Sequence, residues 1–237
     1  MISVEDIEKD WGIIKNLENK MQLVEKLRHE YQILPVEAEN SGVLFSLKIT
    51  PFNSVKVIIF GQDPYPNINN AHGLAFSNKT GKIPASLKNI FAEIKRDTGI
   101  DNNNGNLKAW AENGVLLLNT ALTFSEKNSL KKRFNFWEEV IDDIIDKLIN
   151  RKKPLVIMLW GNSANMLKQF PLEKDNEYLA KNILILRSSH PSNMGSANKT
   201  PIMDGKVSAF IGCSHFSKCN DFLQKNGLSP VNWKINY

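Results

Sequence analysis

The sequence predicts an α/β fold: a single-domain, three-layer α/β/α arrangement around a central four-stranded parallel sheet. Three observations carry this expectation. Four short apolar runs, Val55 to Phe60, Val115 to Leu118, Leu155 to Trp160 and Ile183 to Leu186, lack the polar alternation of a half-exposed strand and read as buried parallel strands. Helical patterns, with apolar residues three or four apart, lie between them, and strand alternating with helix is the signature of a doubly wound sheet. A length of 237 residues with 42% hydrophobic content suits a domain with a sizeable core and excludes a disordered, collagen-like or coiled-coil chain.

In chain order, Ile7, Trp11, Ile14, Leu17, Met21, Val24, Leu27 and Tyr31 predict amphipathic helix from Ser3 to about Tyr31, with Ser3 and Asp6 as its N-terminal cap. A looser stretch from Pro35 to Pro51 leads into the first strand, so residues 1–50 are expected to form an N-terminal helical part and 51–237 the core of the same domain. Leu87, Ile90, Phe91 and Ile94 predict a helix capped by Ser86. Trp137, Val140, Ile141, Ile144, Ile145 and Leu148 predict another, and the capping-box spacing of Asn135 and Glu138 places its start at Asn135. The acids from Glu138 to Asp146 fall on its solvated face. Ser188 to about Gly212 is the longest unpatterned segment, and loops of that length are usually functional or mobile.

The net charge of +5 is a weak pointer to a polyanionic partner. Only five of the 30 basic residues are arginine, which suits delocalised attraction to phosphates better than bidentate reading of guanine edges. Two cysteines cannot supply the four thiolates of an iron–sulfur cluster. Cys213, His215 and Cys219 fit no standard zinc spacing and are read as packing and helix-start residues. The scarcity of cysteine and the absence of a secretory pattern or membrane-length apolar run give a cytoplasmic expectation, or the nucleus of a host cell, with no membrane partner.

In open parallel sheets the binding crevice lies beyond the carboxyl ends of the strands. Those ends carry Gly61-Gln62-Asp63-Pro64-Tyr65-Pro66, Asn119-Thr120, Gly161-Asn162-Ser163 and Ser188-Ser189-His190-Pro191-Ser192. Each has an ordinary alternative: Asp63 before a proline suits a turn, His190 can cap a loop, and Asn119 can bond backbone at a strand end. Their coincidence at the strand ends is what favours chemistry. One carboxylate, one imidazole, one amide and one phenol, without a cluster of acids or thiols, point to hydrolysis without a metal or other cofactor.

Gly61 to Pro66, followed by Ala71-His72-Gly73-Leu74-Ala75-Phe76-Ser77, Gly114 to Asn119, Leu159-Trp160-Gly161 and His190-Pro191-Ser192, resembles the ordered motif set of family 1 uracil-DNA glycosylases. The resemblance runs from about Val55 to Trp233. It implies an enzyme of base excision repair that flips uracil out of DNA, hydrolyses its N-glycosidic bond and leaves an abasic site. It implies Asp63 as the carboxylate facing the cationic sugar and the attacking water, and His190 as the donor to the uracil O2. Phe76 would stack on the base, backbone near Gln62 would bond a uracil carbonyl, Asn119 would read N3–H and O4, and Tyr65 would exclude a thymine methyl. Pro64, Ser86, Gly161, Asn162 and Ser192 match the DNA-gripping positions, and Met194 stands where a leucine wedge fills the vacated stack. The implied partners are uracil-containing DNA, single- or double-stranded, and an acidic DNA-mimicking inhibitor protein; a monomer is expected.

The chain also departs from that pattern. Pro66 and Leu130 replace two of the family's histidines, Asn162 replaces a serine, and Asn193-Met194-Gly195 replaces Pro-Leu-Ser. The segment 195–209 is longer than usual, either a minor-groove contact or a surface excursion. A glycosylase of altered lesion or strand preference, or a DNA-binding subunit without turnover, are therefore the alternatives, the second disfavoured by Asp63 and His190.

Overall fold

A computed structural model describes residues 2–161, 181–192 and 208–235. Its centre is a parallel sheet of β1 (Val57–Gly61), β2 (Val115–Asn119), β3 (Leu155–Trp160) and β4 (Ile183–Ser188) in the order β2-β1-β3-β4. All four apolar runs hold strands, the first starting at Val57 instead of Val55; every residue of β1, β2 and β3 is buried, as a sheet covered on both faces requires, whereas β4, at the sheet's edge, is mostly half-buried. The register pairs Gly61 with Asn119 and Trp160 with Ser188, so the segments that follow all four strands leave one edge of the sheet together. Strand order reverses at β1, which makes that edge the switch point where the crevice of such sheets opens.

Among the described residues the α-helices are α1 (Val4–Trp11), α2 (Leu17–Tyr31), α3 (Phe45–Ile49), α4 (Ala85–Thr98), α5 (Lys108–Glu112), α6 (Leu130–Asn150) and α7 (His215–Lys225). Ser3 and Asp6 form a reciprocal capping box at α1. The single N-terminal helix expected from Ser3 to Tyr31 is instead two: Gly12 at φ 68° and Asn16 at φ 59° turn the chain between α1 and α2. Ile14 is buried within that turn, which is why the apolar spacing runs through the break unchanged. Ile7 and Trp11 join the same buried core as the strands, and the Trp11 indole donates to the Leu47 carbonyl at 3.0 Å, tying α1 to α3.

Two expected helix starts move. Pro84, extended at ψ 165°, caps α4, so Ser86 lies inside the first turn instead of ahead of it. Ser129 caps α6 and accepts the Lys132 N–H, so Asn135 and Glu138 are helix interior. A Ser or Asn three residues before an acid also arises by chance inside a helix, and the earlier cap wins because the intervening residues are themselves good helix formers. The six apolar residues expected on α6 are all fully buried.

Glu93 fastens α4 to the start of α7. Its fully buried carboxylate accepts from Arg96 Nε and Nη2, both at 2.8 Å, and from the Gly212 and Ser214 N–H groups at 2.8 and 2.9 Å. Burial by itself would raise this carboxyl; the four donors hold it below the usual glutamate value. Nearby, Cys213 and Cys219 are free and buried, with thiols pushed up to about 12 by burial, and His215 Nδ1 accepts the Trp160 indole N–H at 3.0 Å. These three residues pack and open α7.

Candidate active site

The site is built on the close approach of β1 and β2. A Cβ on Gly61 would stand 2.2 Å from Asn119 Oδ1 and 2.8 Å from the Ala75 Cβ, so glycine alone lets the Asn119 amide lie across the end of β1. Past the strand, Gln62 O accepts from the Ala121 N–H at 3.0 Å and the Thr120 hydroxyl at 2.9 Å. These bonds fix the Gln62–Pro66 loop relative to Asn119, itself buried at 5% exposure.

Tyr65 and Phe76 hold each other. The Tyr65 hydroxyl donates to the Phe76 carbonyl at 2.9 Å, and burial pushes its phenol up to about 12, so it remains a neutral donor. Phe76 sits at φ 61°, a left-handed backbone that costs a bulky residue about 1–3 kcal/mol. Such strain persists only where surrounding contacts over-determine it. Here it turns the Phe76 ring toward His190, with centroids 6.0 Å apart, and toward Trp160 at 5.6 Å.

His190 follows β4 on a loop that other elements restrain. Asn89 of α4 donates to the Pro191 carbonyl at 2.8 Å, and the Phe210 N–H donates to the Ser189 hydroxyl at 2.9 Å. Gly161, at φ 82°, makes room for the imidazole, since a Cβ there would lie 2.7 Å from the His190 Cβ. The Ser192 N–H donates to His190 Nδ1 at 3.0 Å. An accepting Nδ1 carries no proton, so a neutral ring has its proton on Nε2 and offers it as a donor. Burial favours that neutral ring by lowering the imidazole's affinity for a second proton.

Gln62, Asp63, Pro64, Tyr65, Phe76, Ser86, Asn119 and His190 line one cavity of about 200 Å³. That is smaller than pockets for drug-sized ligands and matches a single small ring. Six of them, Gln62, Asp63, Pro64, Tyr65, Asn119 and His190, were expected at the strand ends; Phe76 lies between β1 and α4, and Ser86 in the first turn of α4. Gly161 and Ser192 shape His190 from behind, through its Cβ and its Nδ1. Asn162, Met194 and most of the 195–209 segment lie outside the described residues. Among the described residues no group of three His, Cys, Asp or Glu side chains is arranged to hold a metal ion.

Two contributors escaped the sequence reading. His72 and Ser77 also line the cavity, with His72 Nε2 2.8 Å from Ser77 Oγ and the Leu107 N–H donating to that oxygen at 2.8 Å. Burial drives the His72 imidazole down to about 4, so this pair is a neutral brace beneath the cavity. The second is Arg133, whose Nη2 donates to Asp63 Oδ2 at 2.6 Å from near the start of α6. Nothing in the sequence pairs residues 70 positions apart.

The family model described as the uracil DNA glycosylase superfamily matches residues 47–224. The uracil-DNA glycosylase of Chlamydia abortus is 36% identical over 232 residues, covering 98% of this chain and 93% of that protein. That of Campylobacter hominis is 43% identical over 210 residues, covering 84% and 82%. The crystal structure of mimivirus uracil-DNA glycosylase superposes with a TM-score of 0.80 at 26% identity, over 98% of this chain and 86% of that one.

Proposed function

Because the chain belongs to the uracil DNA glycosylase superfamily, we propose that it releases uracil from DNA by hydrolysing the N-glycosidic bond, without a metal, and leaves an abasic site. The observation that carries this reading is a carboxylate and an imidazole, delivered by different strand ends, lining one cavity the size of a single ring. A base inside a duplex is shielded, so it must leave the stack to enter such a cavity.

Bond cleavage develops positive charge on the deoxyribose and negative charge on the departing uracil. Asp63 faces the first charge and orients the attacking water. His190, as a neutral Nε2–H donor, faces the second at the uracil O2. A neutral donor matches an oxyanion that needs a hydrogen bond without full protonation. Phe76 supplies the stacking face, and Ser86, half-buried at the first turn of α4, meets a phosphate where helix N–H groups favour an anion.

Selectivity rests on Asn119 and Tyr65. The amide offers an acceptor to N3–H and a donor to O4, a pattern that cytosine reverses. Asn119→Asp is expected to admit cytosine, read as free cytosine released from a C-containing oligonucleotide. Tyr65→Ala is expected to open room for a methyl group, read as thymine release where the unchanged chain gives none; because the lost phenol also releases Phe76, uracil release by this variant falls as well. Unaltered base selectivity in either variant refutes the corresponding assignment.

The reading as a whole is tested with single- and double-stranded oligonucleotides containing uracil, in the presence of a chelator, by measuring free base and abasic sites. Release of uracil with stoichiometric abasic sites is expected. Binding without release overturns the enzymatic reading, and loss of activity on chelation overturns the metal-free one.

A further inference from the structure

The Asp63 carboxylate is not held by its own loop alone. Arg133 Nη2 donates to Oδ2 at 2.6 Å, and Gln62 Nε2 reaches Oδ1 at 3.3 Å. Arg133 is itself clamped: Nη1 donates to the carbonyls of Ser125 and Asn128, and the guanidinium lies 4.6 Å over the Phe124 ring. Only 11% of the Arg133 side chain and 14% of the Asp63 side chain are exposed. A planar fork fixed at one end by two carbonyls and an aromatic face sets the orientation of whatever its other end holds.

Its place in the sequence runs against local preference. The opening of α6 reads Leu130-Lys131-Lys132-Arg133, with three cations and no acidic residue in the first turn. Helix N-termini favour anions, so this arrangement costs helix stability. For Arg133 the Asp63 carboxylate, from the other side of the site, offsets that cost. Local rules broken in favour of a long-range contact cluster at functional sites.

We propose that Arg133 is a positioning residue for the reaction: it fixes the Asp63 carboxylate through Oδ2 and leaves Oδ1 to Gln62 and the cavity, without touching substrate. The proposal rests on the glycosylase reading above. Among the described residues, Arg133 is the cationic side chain bonded to Asp63. A carboxylate fixed in advance does not have to be ordered when the sugar charge develops.

The test is a double-mutant cycle. Arg133→Gln and Arg133→Lys are made alone and with Asp63→Asn, and single-turnover uracil release, DNA affinity and thermal unfolding are measured for each. Arg133→Gln is expected to slow release by about tenfold to a hundredfold, the loss that a small misplacement of a reacting group produces. DNA affinity stays near that of the unchanged chain, Arg133→Lys restores part of the rate, and on the Asp63→Asn background Arg133→Gln costs nothing further. Rate losses that multiply in the double variant overturn the proposal, as does a loss of DNA affinity equal to the loss of rate, which would mark a phosphate contact. A lowered unfolding temperature with an unchanged rate overturns it too, and if Arg133→Gln does not fold, the lysine variant carries the same comparison. Failure of the unchanged chain to release uracil would instead remove the underlying reading.

Discussion

Asp63→Asn is expected to lower single-turnover uracil release by about 10²–10⁴-fold, the contribution typical of a positioned acid–base group, while DNA affinity holds or rises slightly. The asymmetry follows from where the charge acts. In the ground state the sugar is neutral and a carboxylate near phosphates is mildly repulsive, so its loss does not weaken binding. In the proposed transition state the same carboxylate faces a cation and orients the water, and the amide can do neither as well. The fold should survive, because the amide oxygen of the replacement still accepts from Arg133. Release and affinity measured on one uracil oligonucleotide check the division, and equal losses in both would refute it.

His190→Leu is expected to lower release by about 10²–10³-fold, the usual effect of removing one preorganised donor to a developing oxyanion. Leucine keeps an apolar side chain of moderate size against Phe76 but removes both the Nε2–H donor and the acceptor of the Ser192 N–H. DNA affinity again changes far less than rate. The neutral ring also has a signature in pH. Burial lowers the His190 pKa from 6.5, and a proton on Nδ1 would have to displace the Ser192 N–H. The neutral donor is therefore retained as pH falls through 6.5 and is lost only at lower pH. A rate that halves at an ordinary imidazole pKa would contradict the assignment.

Much of this arrangement is legible in the sequence because buried parallel strands are written as uninterrupted apolar runs. Once β1 to β4 are placed, the residues following them must share one edge, and Asp63, Asn119 and His190 reach the same cavity for that reason. What stays hidden depends on contacts distant in the chain. Gly12 breaks the first helix while Ile14 keeps its spacing and its burial. The start of α6 is settled by Ser129, against the equally plausible local signal of Asn135 and Glu138. The bond from Ser192 to His190 Nδ1 sets which imidazole nitrogen faces the cavity, and no motif encodes a tautomer. Phe76 in a left-handed backbone is likewise a property of the folded loop, held by a tyrosine 11 positions earlier.

The modest positive charge acquires a narrower meaning in this setting. The crevice combines few charged side chains with hydroxyls, amides and backbone N–H groups, and its carboxylate is already matched by Arg133. On the proposed reading a strongly basic surface would gain little, since each neutralised phosphate deepens non-specific binding.

The most direct test is the structure of the chain bound to DNA carrying a non-hydrolysable uridine analogue. An extrahelical uracil stacked on Phe76 is expected, with Asn119 bonded to N3 and O4, His190 Nε2 at O2, and Asp63 Oδ1 facing the sugar while Oδ2 remains on Arg133. A base left in the duplex, or a flipped base whose O2 is met by a group other than His190, would contradict it.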